Sequence, residues 1–126
     1  MNEAEATERT FKTAWFAKAA QKARITDDEL CEAIRAVRKG QADDLGGGVF
    51  KKRLDKNRHR SIILAKGRRF WVYTYLFAKK NRANIDDAEL RAFRDLADLY
   101  AQKTDDQIER ELEAREITEI CNGRQG

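Results

Sequence analysis

The sequence predicts a single α+β domain in which amphipathic helices flank an antiparallel sheet. Two observations predict it. Thr-Asp-Asp-Glu at Thr26, Asp-Asp-Ala-Glu at Asp86 and Thr-Asp-Asp-Gln at Thr104 open three runs of helical periodicity. Between the first and second of these lie three consecutive runs, 49–54, 60–66 and 69–80, rich in β-branched and aromatic residues and separated only by short polar or glycine-containing turns.

Taken in chain order, Arg9-Thr-Phe-Lys-Thr13 reads as a first strand that runs into a short helix from about Ala14 to Ala23. At Thr26 the hydroxyl can accept from a free helix-start amide while Glu29 reaches back to another, the reciprocal capping box. Leu30, Ala33, Ile34 and Val37 then recur on one helical face and Gly40 supplies the stop. The segment QADDLGGG reads as a turn and loop; three successive glycines free the backbone, but no Gly-Lys-Ser/Thr or G-x-G-x-x-G pattern accompanies them, which favours a connector over a phosphate cradle.

The three strands VFKKRL, RSIILAK and RFWVYTYLFAKK should form an antiparallel meander. Alternation places Lys51 and Arg53 on one face of the first and Phe50, Lys52 and Leu54 on the other. The third is apolar at both parities up to Lys79, as a central strand covered on both faces reads. Phe70, Val72 and Leu76 are assigned to the core; Trp71, Tyr73 and Tyr75 are left open between core packing and base stacking. After Asp86, Leu90, Phe93, Ala97 and Tyr100 make a helical stripe. A further helix from Thr104 carries Ile108 and Leu112, residues 117–121 return as an edge strand, and the tail NGRQG should fray.

The net charge of +4 hides a segregation. Between Val49 and Arg82 stand twelve lysines and arginines against one acid, Asp55, while the rest of the chain is net acidic. Ordinary solvated faces intersperse the two signs, so a one-sign block on strands points to a polyanion, of which nucleic acid is the commonest. The basic face is expected to carry no internal neutralising acids. The composition is that of one soluble domain spanning residues 1–126, with a core over 9–100 and a C-terminal helix and edge strand over 101–126. No apolar run is long enough for a bilayer and the first residues are acidic where a secretory signal would be basic then apolar, so the cytoplasm is the expected location, without membrane association. Cys31 and Cys121, with His59 as their one companion, are too few for a structural zinc site and read as separate reduced thiols; no metal and no cofactor are expected. His59 reads as a solvated turn residue more readily than as an acid–base group.

The order of these segments, with GGGVFKKRL, RSIIL and RFWVYTYLFAKKNRANI before a closing amphipathic helix, resembles the RelE/ParE superfamily of toxins from bacterial toxin–antitoxin pairs, nearest the HigB-like branch, over roughly Thr10 to Tyr100. The resemblance implies a RelE-like twisted antiparallel sheet with two N-terminal helices and additional C-terminal helices. It also implies a ribosome-dependent, metal-independent endoribonuclease that cleaves mRNA in the decoding site by attack of the 2′-hydroxyl and so stops translation. By position in the motifs, Arg60 and Lys80 are assigned to transition-state charge, Lys51 to proton transfer or activation of the 2′-hydroxyl, and Arg53 to phosphate positioning; Lys52, Lys66, Arg68, Lys79 and Arg82 are assigned to RNA contact. Where several relatives place a tyrosine or histidine after the last basic motif, this chain has Ile85 and Asp86, the latter a helix cap. The implied partners are the ribosome and mRNA, a cognate antitoxin of helix-turn-helix type, and operator DNA only through that antitoxin. The alternatives are a ParE-like gyrase inhibitor of the same fold and an inert member that serves only as a partner of its antitoxin and operator.

Overall fold

A computed structural model describes residues 8–121 and, within them, every side chain but that of Arg68. The tail expected to fray, 122–126, lies outside the described residues. Strand β1 (Arg9–Thr13) runs straight into helix α1 (Ala14–Ala23), because the Thr13 hydroxyl accepts from the Phe16 amide and caps the helix on the spot. Helix α2 (Asp27–Arg38), the short strand β2 (Asp43–Asp44), the meander β3 (Val49–Leu54), β4 (His59–Leu64) and β5 (Phe70–Ala78), helices α3 (Asp87–Gln102) and α4 (Asp105–Glu113), and strand β6 (Ile117–Ile120) follow. Strand β2 lies inside the segment expected as loop, where Asp43 and Asp44 pair with Lys51 and Phe50.

The sheet order is β2-β3-β4-β5-β1-β6. The meander is antiparallel, β6 is an edge strand, and β1 joins β5 in parallel, so the α+β fold carries a mixed sheet. Helices pack on both faces. On one, Phe16 and Ala20 of α1 and Leu30, Ile34 and Val37 of α2 meet Leu54, Ile63, Trp71, Tyr73 and Leu76. On the other, Ala97 and Tyr100 of α3, with Phe93 at the margin, and Ile108 of α4 meet Phe11, Val49, Ile62, Phe70, Val72 and Phe77. Full burial of each large aliphatic side chain stabilises by about 1.5–3 kcal/mol. Double coverage explains why β5 is apolar at both parities.

One irregularity fixes which aromatics face which helices. Tyr73 pairs with Ile63 and Tyr75 with Ile62, so Thr74 is an extra residue in β5. Its hydroxyl donates to the Ile62 carbonyl at 3.0 Å. Without the bulge Tyr75 and Phe77 would point toward α1 and α2; with it they join Phe70 and Val72 on the α3 side. Trp71 and Tyr73 are core residues. Burial pushes the Tyr73 phenol well above its ordinary range, and its hydroxyl donates to the Leu30 carbonyl at 2.7 Å.

Local capping follows the sequence with one change. Asp86 with Glu89 and Thr104 with Gln107 form reciprocal capping boxes. Thr26 accepts from the Glu29 amide, but the Glu29 carboxylate reaches across instead and accepts from the Asp55 amide at 2.5 Å, tying α2 to the β3–β4 turn. The glycines do serve as a connector. A Cβ on Gly48 would sit 2.8 Å from the Lys66 backbone, and Arg94 of α3 donates to the Leu45 and Gly46 carbonyls. The two cysteines, expected as separate thiols, are joined by a Cys31–Cys121 disulfide. β6 carries Cys121 one residue past Ile120, the partner of Thr10, and so beside α2. Among the described residues no helix is long and apolar enough to cross a membrane, and no group of three or more His, Cys, Asp or Glu could hold a metal ion.

Candidate functional site

The strands that make the basic block contiguous in sequence distribute it over three places in space. The first is the α3-facing side of the sheet where the β3–β4 hairpin closes. Arg53 lies directly across from Arg60, and Lys51 is on the same side one step along β3, opposite Ile62. Like charges in directly opposed positions destabilise a strand pair, so nothing in sheet formation asks for them. Arg60 donates to the carbonyls of Asn57 and His59, at 3.1 and 3.3 Å, which orients the guanidinium without neutralising it. Arg53 is exposed and has no hydrogen bond or ion pair among the described residues. Lys51 is largely covered, its side chain 15% exposed, with the Asp43 carboxylate at 3.8 Å.

Next to this row the bulge brings Tyr75 and Phe77, the latter directly across from Arg60. Arg82 lies over the Phe77 ring, donates to the Tyr75 hydroxyl at 3.3 Å, and forms a two-pronged pair with Glu89 at 2.5 and 3.1 Å. Those contacts, led by the Glu89 hydrogen bonds, push the guanidinium pKa up, and Arg82 lowers that of Glu89 in return. Arg82 is therefore a fixed wall carrying Tyr75. The expectation of a face free of neutralising acids is corrected: Asp55 within the block pairs with Arg58, and from outside it Asp43, Glu89, Asp98 and Asp105 each meet one of its cations.

The second place is the α1 side of the same hairpin. His59, expected as a solvated turn residue, is the first residue of β4, its side chain only 20% exposed, with Nδ1 3.0 Å from Asp55 Oδ2. Next to a carboxylate the ring proton belongs on Nδ1. Asp55 also accepts from Arg58 at 2.8 Å, and hydrogen bonds from Arg58 and then His59 hold its carboxyl below the usual range. Asp55, Lys56 and Asn57 all adopt left-handed backbone, three in succession, and the Glu29 bond to the Asp55 amide helps hold that strained turn. A recess of about 700 Å³ opens here, lined by Lys22, Lys56, Arg58, His59, Lys79 and Lys80 among others. Lys80, grouped by sequence with Lys51, Arg53 and Arg60, is exposed in this recess, with Lys79 beside it. Lys52 points the same way and donates to the Gln41 carbonyl at 3.0 Å.

The third place is the far end of β4, about 20 Å away along the strand. Lys66 forms an ion pair with Asp98 of α3. Arg68 ends the tight turn Lys66–Arg68, and its side chain lies outside the described residues. Sequence reasoning thus found the cations but not their grouping, and it missed the His59–Asp55 pair and the α1 residues Trp15, Lys18 and Lys22. An Asp four residues before a His across a four-residue turn was the available signal.

No curated protein and no solved structure gives a significant match to the chain. The model of the family described as "RelE toxin of RelE / RelB toxin-antitoxin system" matches residues 8–120, from β1 through β6 and hence all three groups of cations. With nearly its whole length matched, this chain belongs to the RelE toxin family, the toxin side of a toxin–antitoxin pair.

Proposed function

We propose that this RelE-family toxin is a ribosome-dependent mRNA endoribonuclease whose reacting phosphodiester lies over Lys51, Arg53 and Arg60. The observation that carries the reading is the directly opposed pair Arg53 and Arg60, two cations whose juxtaposition costs stability and which no carboxylate among the described residues relieves. A phosphate passing to a pentavalent state relieves both, and more so as its charge grows.

In that reaction the 2′-oxygen attacks phosphorus, the bond to the 5′-oxygen breaks, and a 2′,3′-cyclic phosphate and a free 5′-hydroxyl result. The 2′-hydroxyl gives up one proton and the leaving oxygen takes one. Arg60, oriented by two carbonyls, meets the developing charge; Arg53 places the phosphate; Lys51, sheltered beside Asp43, takes part in proton transfer. Lys80, in the neighbouring recess, adds transition-state charge from the side of the β5 end. The antitoxin, of the helix-turn-helix kind that the GVFKKRL and FAKKNRANI motifs of the HigB-like branch imply, covers this face with an acidic segment and links it to operator DNA.

The test is cleavage by Arg60→Ala on translating ribosomes. Loss of one preorganised donor lowers the rate by about 10²–10³-fold, with ribosome affinity changed much less. Wild-type cleavage by the bound variant removes Arg60 from the chemistry. A wild-type protein that cleaves nothing on ribosomes and stops DNA synthesis before protein synthesis is a gyrase inhibitor instead.

A further inference from the structure

Between α1 and the second half of β5 runs a groove that leads into the basic recess and, apart from Lys80 at that far end, takes no part in the cleavage chemistry. Strand β1 pairs with β5 only from Phe70 to Tyr73, because its chain turns into α1 at Ala14. Beyond that point α1 flanks β5 in place of a strand, and a recess of about 650 Å³ opens between them. It shares Lys22, Ala23, His59 and Ala78 with the basic recess at the hairpin, so the two form one continuous channel.

Three features of the lining point to a ligand class. Seven cations line it, Lys18, Lys22, Lys56, Arg58, Lys79, Lys80 and Arg82, and no carboxylate lines either recess. Only Arg58 and Arg82 have carboxylate partners, so five cations face the channel without an ion pair among the described residues. At one end Trp15 is 53% exposed, and its ring lies 5.1 Å from that of Tyr75. An indole on a helix surface at that exposure contributes little to the core, and Phe16, next to it, does the packing. Lys18 and Lys22 stand one helical turn apart, about 6 Å, a spacing on the scale of successive phosphates in an extended strand.

We infer that this channel binds single-stranded RNA, with a base stacked on Trp15 and its backbone running along Lys18 and Lys22 toward Lys79 and Lys80. An aromatic platform joined to a cationic track is the chemistry that grips single strands without reading their sequence. An acidic protein segment would match the charge but has no need of the exposed indole lying against Tyr75. The inference rests on the nuclease reading for its purpose: the channel holds the strand flanking the phosphodiester at Arg60, the residue next to His59.

The probe is a fluorescein-labelled ten-residue 2′-O-methyl oligouridylate, which cannot be cleaved, titrated into the full-length toxin at several salt concentrations. Wild-type protein should bind it with quenching of tryptophan fluorescence, since Trp71 is buried and Trp15 is not. Trp15→Ala should abolish the quench and weaken binding by about 5- to 150-fold. Lys22→Ala should weaken binding and reduce the slope of log affinity against log salt by about 0.7. Thermal unfolding of both variants checks that they fold. Unchanged affinity and slope in both variants would overturn the inference. So would unchanged oligonucleotide binding with weakened antitoxin capture, which would give the channel to the protein partner. Because the probe reports no cleavage, an inactive toxin that still binds it through Trp15 refutes the nuclease reading alone. An active toxin whose variants bind it normally refutes the channel alone.

Discussion

The two ends of the β4–β5 hairpin have similar side chains and opposite uses of them. At the end where β5 begins, cations are spent on acids of the helices and of β6. Lys66 meets Asp98 of α3, Arg69 meets Asp105 of α4 at 3.1 Å and donates to the Lys103 carbonyl, and Arg9 meets Glu119 of β6 at 2.8 Å and Glu109 of α4 at 3.2 Å. Cys121 closes the same end of β6 onto α2. At the other end Arg53, Lys56, Lys79 and Lys80 have no such partners among the described residues, and Arg60 is held only by carbonyls. A cation's place in a basic run does not reveal which use it serves. The acids it can reach do, and these are supplied by elements far along the chain.

The largest difference in stability between the two ends comes from the disulfide. It closes a span of 90 residues, and the chain-entropy account of such a loop gives a stabilisation of about 4–5 kcal/mol. Cys31→Ser with Cys121→Ser, or reduction, should lower the unfolding free energy by an amount of that order, read from the urea midpoint and slope together. The single-turnover cleavage rate of the folded fraction should not change. A large loss of rate without loss of stability would mean that the two ends are not separable.

Lys66→Ala and Arg69→Ala sharpen the contrast from the other direction. Their ion pairs are half-exposed or more, and such pairs contribute about 0.2–1 kcal/mol, so stability should fall by no more than that. An RNA phosphate at Lys66 must compete with Asp98, so Lys66→Ala on ribosomes should weaken binding and flatten its salt dependence less than Lys80→Ala does. On saturated ribosomes Lys66→Ala should cleave at nearly the wild-type rate, against the loss of about 10²–10³-fold expected for Arg60→Ala. Equal effects of Lys66→Ala and Lys80→Ala on binding would erase the distinction.

The smallest effect concerns the Arg82–Glu89 ion pair at the open end. Arg82 lowers the pKa of the Glu89 carboxyl, so the folded state favours the ionised form more than the unfolded chain does. That contribution is fully present above the unfolded-state pKa and is lost as pH falls through the lowered folded-state value. Arg82→Ala should therefore show a shallower acid-side loss of stability in urea titrations between neutral pH and about pH 3. An unchanged acid limb would mean that the pair is not maintained in solution.

Much of this architecture is local and therefore legible in the residues. Capping at Thr26, Asp86 and Thr104 needs only side chains three residues from the amides they serve, and the stripes Leu30, Ile34, Val37 and Ala97, Tyr100 follow from helical periodicity alone. The alternation that sets Lys51 and Arg53 on one face is likewise a property of a single strand. The chain by itself thus determined the order of the elements other than the short β2, the meander and the identity of the cations.

Tertiary structure decided what those cations do. Whether Glu29 closes its own capping box or takes the Asp55 amide depends on where α2 lies against a hairpin 26 residues away. Whether Tyr75 faces α1 or α3 depends on one extra residue in a strand pair. Whether Cys31 is a thiol depends on an edge strand 90 residues on, and whether Lys66 or Lys80 is unpaired depends on where the acids of α3 fall. Periodicity reports the face a side chain takes on its own element, because that is fixed by backbone dihedrals a few residues apart. The partner it meets is fixed by packing between elements, whose cost and gain no local window of the sequence contains.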